Sequence, residues 1–225
     1  MLLPLPQPES PNPYTVLSRK ALYDSPWIRL REDRVLHRGG GEEKIYPVCG
    51  FHRTACGVLS LDDRDQAILV GQWRYPLERY SWEIPEGGGD PKESPFETAQ
   101  RELAEETGLQ AQVWEPLAYF HNSNSSTDEE SFLFLATGLS PMDGFHSDDD
   151  EELMLHWESI DNCVKRVLSG EITDSLTTMA FLALQTRRSG LVASLDPHLV
   201  ERFFQRPEDH PSPGRARWTS LTPKI

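Results

Sequence analysis

"GGGDPKESPFETAQRELAEETGLQ", Gly87–Gln110, decides how this 225-residue chain is read. Ser94 is a good N-cap, and Pro95 stands at the first helical position, where a missing N–H costs nothing. Glu97, three residues after Ser94, completes a capping box. Gly108 supplies the left-handed stop. The spacing predicts a helix over 95–107. On it Phe96, Ala99 and Leu103 form an apolar stripe that faces a core. Glu102, Glu105 and Glu106, at i, i+3 and i+4, form an acidic strip beside it. Arg101 is four residues from Glu97 and from Glu105 and can pair with either.

Local physics disfavours that strip. Like charges one turn apart cost a few tenths of a kcal/mol, roughly, and more when partly buried. Glu102 and Glu106 also lie toward the negative end of the helix dipole. A bound divalent cation reverses the sign of both terms, and oxygen donors suit Mg²⁺, Mn²⁺ or Ca²⁺ better than zinc. A solvated charged face is the competing reading of a Glu-rich helix.

The rest of the chain sets bounds. The net charge is −14 and the sequence pI about 4.9. Such a surface repels nucleic-acid backbones and acidic membranes. Cys49, Cys56 and Cys163 are an odd count without a CxxC pair. That argues against a disulfide scaffold or zinc site and suits a reducing, cytoplasmic compartment. No apolar run approaches the roughly 18 residues of a membrane span. The start, with prolines at 4, 6, 8, 11 and 13, reads as a disordered Pro-rich arm over 1–13.

"WIRLREDRVLH", Trp27–His37, alternates apolar and polar residues, and the glycines at 39–41 read as a hairpin turn before "KIYPV". A small antiparallel β unit over 14–50 is expected. "TACGVLSL" (54–61) and "QAILVGQWRYP" (66–76), joined by "DDRD", read as a hairpin inside a mixed sheet. "YSWEIPEGGG" (80–89) reads as a strand running into a glycine loop. Strands are expected over 111–120, 131–137 and 153–157, and helices over 159–170 and 174–188, the second with Asp174 as N-cap. A short helix is expected near 197–205, in a C-terminal extension over 191–225.

With the fixed spacing counted, the opening stretch resembles the Nudix box, GX5EX7REUXEEXGU with U a bulky aliphatic. Gly87, Glu93, Arg101, Glu102, Leu103, Glu105, Glu106, Gly108 and Leu109 fill every specified position. The resemblance implies the Nudix fold, an α/β/α sandwich around a mixed sheet, with the domain over 51–190. It implies hydrolysis of a nucleoside diphosphate linked to another moiety, with Mg²⁺ or Mn²⁺. Glu102 and Glu106 are then the main metal ligands, Glu105 a further ligand or an orienting group, and the backbone carbonyl of Glu86 completes the shell. Gly87, Glu93, Arg101 and Gly108 are structural, with Arg101 pinning the loop to the helix.

A second stretch narrows the subfamily. "GQWRYPLERYSWEIPEGG" (71–88) resembles the Q-x-R-Y-P and E-x-P-A-G segments of ADP-ribose and nucleoside-diphosphate-sugar pyrophosphatases. Gln72, Arg74, Tyr75, Pro76, Glu83 and Pro85 match, while Glu86 replaces the usual Ala. The resemblance makes Arg74 a diphosphate or ribose contact and places Glu83 and Gln72 at the pocket. "DDDEEL" (148–153) falls where such enzymes carry an acidic loop that supplies a general base, with Glu151 and Glu152 as candidates. "SGEITDSLT" (169–177) resembles an architectural segment of the subfamily. The β unit over 14–50 resembles an arm that packs against a partner, so a homodimer is expected. Other readings are a Nudix hydrolase of dinucleoside polyphosphates or capped RNA, disfavoured by residues 72–76 and the negative charge, and a non-catalytic ADP-ribose sensor. Sensors usually lose box glutamates, and here all are present.

Overall fold

The computed structural model describes residues 5–6, 12–142, 152–191, 195–209 and 218. Most of the expected Pro-rich arm and Glu151 lie outside the described residues. The chain forms two compact units. The first holds the residues up to His52, Ser125–Asp128 and Trp218, and the second holds Arg53–Asn124 and the described residues from Glu129 to Asp209.

The first unit is a three-stranded antiparallel sheet in the order β1 (Tyr14–Asp24), β2 (Ile28–His37), β3 (Lys44–Phe51). Its β2 alternates as expected, but the buried row is Arg31, Asp33 and Val35, while Leu30 stays exposed. Of the apolar residues of this strand, Val35 thus faces inward and Leu30 outward.

The second unit contains two sheets. One is antiparallel, in the order β10 (Met154–Ser159), β5 (Gln66–Arg74), β6 (Arg79–Glu83). The other is mixed, in the order β7 (Glu86–Gly89), β4 (Thr54–Ser60), β9 (Glu130–Pro141), β8 (Leu109–His121), with β4 and β9 parallel. Two expectations are corrected here. The runs at 54–61 and 66–76 do not pair as a strand hairpin, because β4 pairs with β7 and β9, and the link to β5 is the single antiparallel Leu61–Ala67 bridge just past β4. The glycine loop is a strand, since Glu86–Gly89 pairs with Thr54–Gly57. The chain thus crosses from one sheet to the other at Ile84–Pro85.

Helices cover both faces of the mixed sheet. On one side Cys56, Val58, Phe132 and Phe134 meet Ala99 and Leu103 of α1 (Pro95–Thr107), with Phe203 just past α4 (Pro197–Arg202). On the other side Leu59 and Leu133 meet Ile160 and Cys163 of α2 (Ile160–Ser169) and Leu176 and Phe181 of α3 (Ser175–Arg188). The fold is an α/β/α sandwich around a mixed sheet. Alternate residues of one strand serve opposite layers, as the period of two requires. No described helix is long and apolar enough to cross a membrane.

The C-terminal extension contributes to this core. Phe203 is fully buried, its ring 5.1 Å from those of Phe132 and Phe134, and its carbonyl accepts the Phe96 N–H at the start of α1. Phe203→Ala is expected to destabilise the protein by about 3–5 kcal/mol, read as a lowered midpoint in urea unfolding with an unchanged slope.

Candidate active site

Helix α1 starts and stops as its sequence requires. Ser94 accepts from the Glu97 N–H, Glu97 accepts from the Ser94 N–H at 2.7 Å, and Gly108 takes φ 69°. The helix therefore has a fixed rotation over β4 and β7. That rotation buries Glu102, only 8% exposed, with its carboxylate lying against the Cα of Gly87, where any Cβ would overlap it. Glu106 reaches the same strand: its Oε2 accepts the Glu86 N–H at 3.0 Å. Glu105 is turned outward and pairs with Arg101 at 2.7 Å.

Arg101 does not meet Glu97. It bonds Glu93 at 3.1 Å, reaches Glu102 at 2.8 Å and donates to the Gly88 carbonyl at 3.3 Å. That carbonyl also accepts from Arg53 at 3.2 Å. Helix and glycine strand are thus tied through guanidinium groups. Burial pushes the Glu93 carboxyl up, but hydrogen bonding and the charge of Arg101 outweigh it and hold it below the usual carboxylate range.

Arg74, at the end of β5, is gripped along one edge. Its Nε lies 3.0 Å from both oxygens of Glu83, its Nη2 also bonds Glu83, and Glu86 stands 3.5 Å from Nη2. Among the described residues nothing accepts from Nη1. Gln72 donates to Glu83 at 3.4 Å. The Glu86 side chain is buried beside Glu83 and Asp174. Burial, then the Asp174 and Glu83 charges, push its carboxyl well above its ordinary value.

The segment read as architectural comes to the same place. Asp174 caps α3 by accepting the Thr177 N–H at 2.7 Å, and the Thr177 hydroxyl accepts the Ile84 N–H at 3.0 Å. The signal for this was the D-x-x-T spacing of a cap, which sequence alone does not connect to the loop at 84–86. Glu152 is exposed and precedes β10, whose first residue pairs with Gly71. The segment before β10 thus enters at the end of β5 that carries Gln72 and Arg74. Glu151 lies outside the described residues.

Among the described residues no three acidic, histidine or cysteine side chains converge as a closed metal cage. The donor chemistry fits a hard divalent cation all the same. Glu102, Glu105 and Glu106 are oxygen donors on one strip, and Glu102 is buried with Arg101 shared among three carboxylates.

Residues 51–174 match the NUDIX domain, and residues 14–48 match the nucleoside diphosphate sugar hydrolase N-terminal domain. The chain belongs to the Nudix family of hydrolases. Along 196 residues this Nudix chain is 32% identical to the ADP-ribose pyrophosphatase of Mycobacterium tuberculosis strain H37Rv, covering 84% of this chain and 92% of that one. It is 36% identical over 139 residues to the ADP-ribose pyrophosphatase of Bacillus subtilis strain 168, covering 61% and 75% of the two chains. A crystal structure of an ADP compounds hydrolase superposes with a TM-score of 0.72 at 20% identity, over 82% of the Nudix chain and 98% of that chain. That similarity concerns the fold.

Proposed function

We propose that this Nudix hydrolase cleaves the diphosphate bond of ADP-ribose or a related nucleoside-diphosphate sugar, releasing a nucleoside monophosphate and a sugar phosphate. One observation carries the reading: the strand entered at Glu86 joins an acidic strip on one side to a half-gripped arginine on the other. A diphosphate needs both a cation site and a cationic clamp. The similarity to two ADP-ribose pyrophosphatases supports the choice of substrate.

In this reading Glu102 and Glu106 hold Mg²⁺ or Mn²⁺, with Glu105 and the backbone carbonyl of Glu86 as further oxygen donors. When bound, the ion neutralises phosphate charge and lowers the pKa of a coordinated water. Glu83 fixes the guanidinium plane of Arg74 and leaves Nη1 to donate to a substrate phosphate. Gln72 steadies Glu83. Glu93 and Arg101 hold the glycine strand against α1, and Gly87 and Gly108 give the strip its position. A glutamate of the 148–152 segment, Glu151 or Glu152, takes the proton of the attacking water.

A homodimer is part of the proposal. In the first unit Tyr23, Trp27, Leu30 and Ile45 are exposed, an apolar surface that a second copy would cover. The three free thiols support a cytoplasmic location.

The test is a kcat/KM comparison with Mg²⁺ across ADP-ribose, ADP-glucose, GDP-mannose, UDP-glucose and diadenosine tetraphosphate. ADP-ribose or another sugar nucleotide is expected to lead. Preference for the dinucleoside tetraphosphate, or no turnover of any sugar nucleotide, would overturn the reading.

A further inference from the structure

The first unit buries little apolar surface of its own. Its buried residues, among those described, are Arg31, Asp33, Val35, Gly50 and Trp218. Val35 is the one aliphatic among them. The one aromatic ring, Trp218, comes from the C-terminal end of the chain and is 5% exposed.

Four residues receive that ring, and between them they read three of its properties. The guanidinium carbons of Arg29 and Arg31 stand over it, 4.3 and 4.5 Å from its centroid. Cations so placed are attracted by an electron-rich π face, and indole is the best of the natural side chains. Asp128 Oδ2 accepts the indole Nε1–H at 2.6 Å. Gly50 on β3 lies flat against the ring, and a Cβ there would overlap it. Position 50 thus fixes the space for a planar group.

Two of the receiving groups also have supports of their own. Arg31 Nε bonds Asp33 Oδ1 at 3.0 Å, which orients the guanidinium. Asp128 belongs to a segment fastened to β3: the Cys49 N–H donates to the Ser126 carbonyl at 2.9 Å, and Cys49 bridges Thr127. Among the described residues, Arg31 Nη1 and Asp128 Oδ1 are buried without a hydrogen-bond partner. Polar groups left so are costly. For Arg31 the ring offsets that cost through its π face, and for Asp128 through the indole N–H on the other carboxylate oxygen.

We propose that Arg29, Arg31, Gly50 and Asp128 form a binding site for a planar, electron-rich aromatic bearing an N–H donor. Its resident ligand is the chain's own Trp218, and filling the site keeps the N-terminal sheet folded. Trp218 thereby completes the core of the first unit. The site shares no residue with the acidic strip or the Arg74 group, and it stands whatever the substrate proves to be.

The experiment is chemical rescue in the full-length protein, followed by hydrogen exchange. In Trp218→Gly, amides of β2 and β3 should exchange on the order of a hundredfold faster than in the wild type, while α1 is unchanged. Indole at millimolar concentration should restore much of that protection, and 1-methylindole, which lacks the N–H, should restore far less. Wild-type protection of β2 and β3 in Trp218→Gly would overturn the proposal, as would equal rescue by the two indoles. Should Trp218→Gly not fold, Trp218→Phe keeps an aromatic face and drops the N–H. It should speed exchange in β2 and β3 about tenfold, and unchanged exchange there would overturn the proposal equally.

Discussion

Glu106→Gln is expected to leave the fold intact and remove most turnover. The amide oxygen of glutamine can still accept the Glu86 N–H that Glu106 accepts now at 3.0 Å. The Ile84–Gly89 segment therefore keeps its tie to α1, and the thermal midpoint should move by no more than a few degrees. What goes is the negative charge. On the proposed reading that charge holds a divalent cation where phosphate charge must be neutralised, and loss of one such electrostatic group costs on the order of 10²–10³ in kcat. The measurement is kcat at saturating substrate and Mg²⁺, with a melting curve of the same sample. A variant within about tenfold of the wild type would remove Glu106 from the proposed machinery.

Gly87→Ala should separate function from stability even more sharply. A Cβ at Gly87 would overlap the Glu102 carboxylate, the far end of a flexible side chain. Such a group moves at small energetic cost, so denaturant unfolding should show a loss of about 1 kcal/mol or less. The displaced group, however, is one of the two principal ligands proposed for the metal, and kcat should fall at least about a hundredfold. Gly88→Ala is the matched control. A Cβ at Gly88 meets the Arg53 side chain, with Cδ at 2.9 Å, and leaves Glu102 alone. Its effect on kcat should be much smaller. Equal losses in the two variants would mean that the glycine strand matters only as backbone.

The sequence carried α1 almost completely, because its signals are local. Ser94, Pro95, Glu97 and Gly108 act within one turn of themselves, and the structure shows the capping box and the left-handed stop they encode. The pairing of strands was not legible in the same way. Residues 54–61 are nearly all buried on both faces, so no alternation distinguishes a neighbour in sequence from a distant parallel partner. "DDRD" makes a convincing turn, and the turn does not reveal that β4 and β5 belong to different sheets. Glu86–Gly89 has the composition of a loop, yet it is a strand because its bare Cα atoms admit the side chains of Glu102, Arg53 and Thr98.

At the candidate site the acids on α1 and the Gln72–Arg74–Glu83 group were readable as motifs. Their meeting at Glu86 was not, nor was the place of Asp174 and Thr177 beside that loop, since each depends on elements far apart in sequence. For β2 the alternation was visible but its sense was not. Arg31 and Asp33 are the inward residues because Arg31 meets Trp218, supplied from elsewhere in the chain, and Asp33 takes Arg31 and Arg19 as partners.

The most direct test of the central claim is a ³¹P NMR time course of ADP-ribose with the wild-type protein, with and without Mg²⁺. With Mg²⁺, the diphosphate resonances should be replaced by two phosphomonoester signals, AMP and ribose 5-phosphate, with no inorganic phosphate. Excess chelator should stop the reaction. Diphosphate signals that persist with Mg²⁺, or hydrolysis that continues undiminished under chelator, would contradict the account.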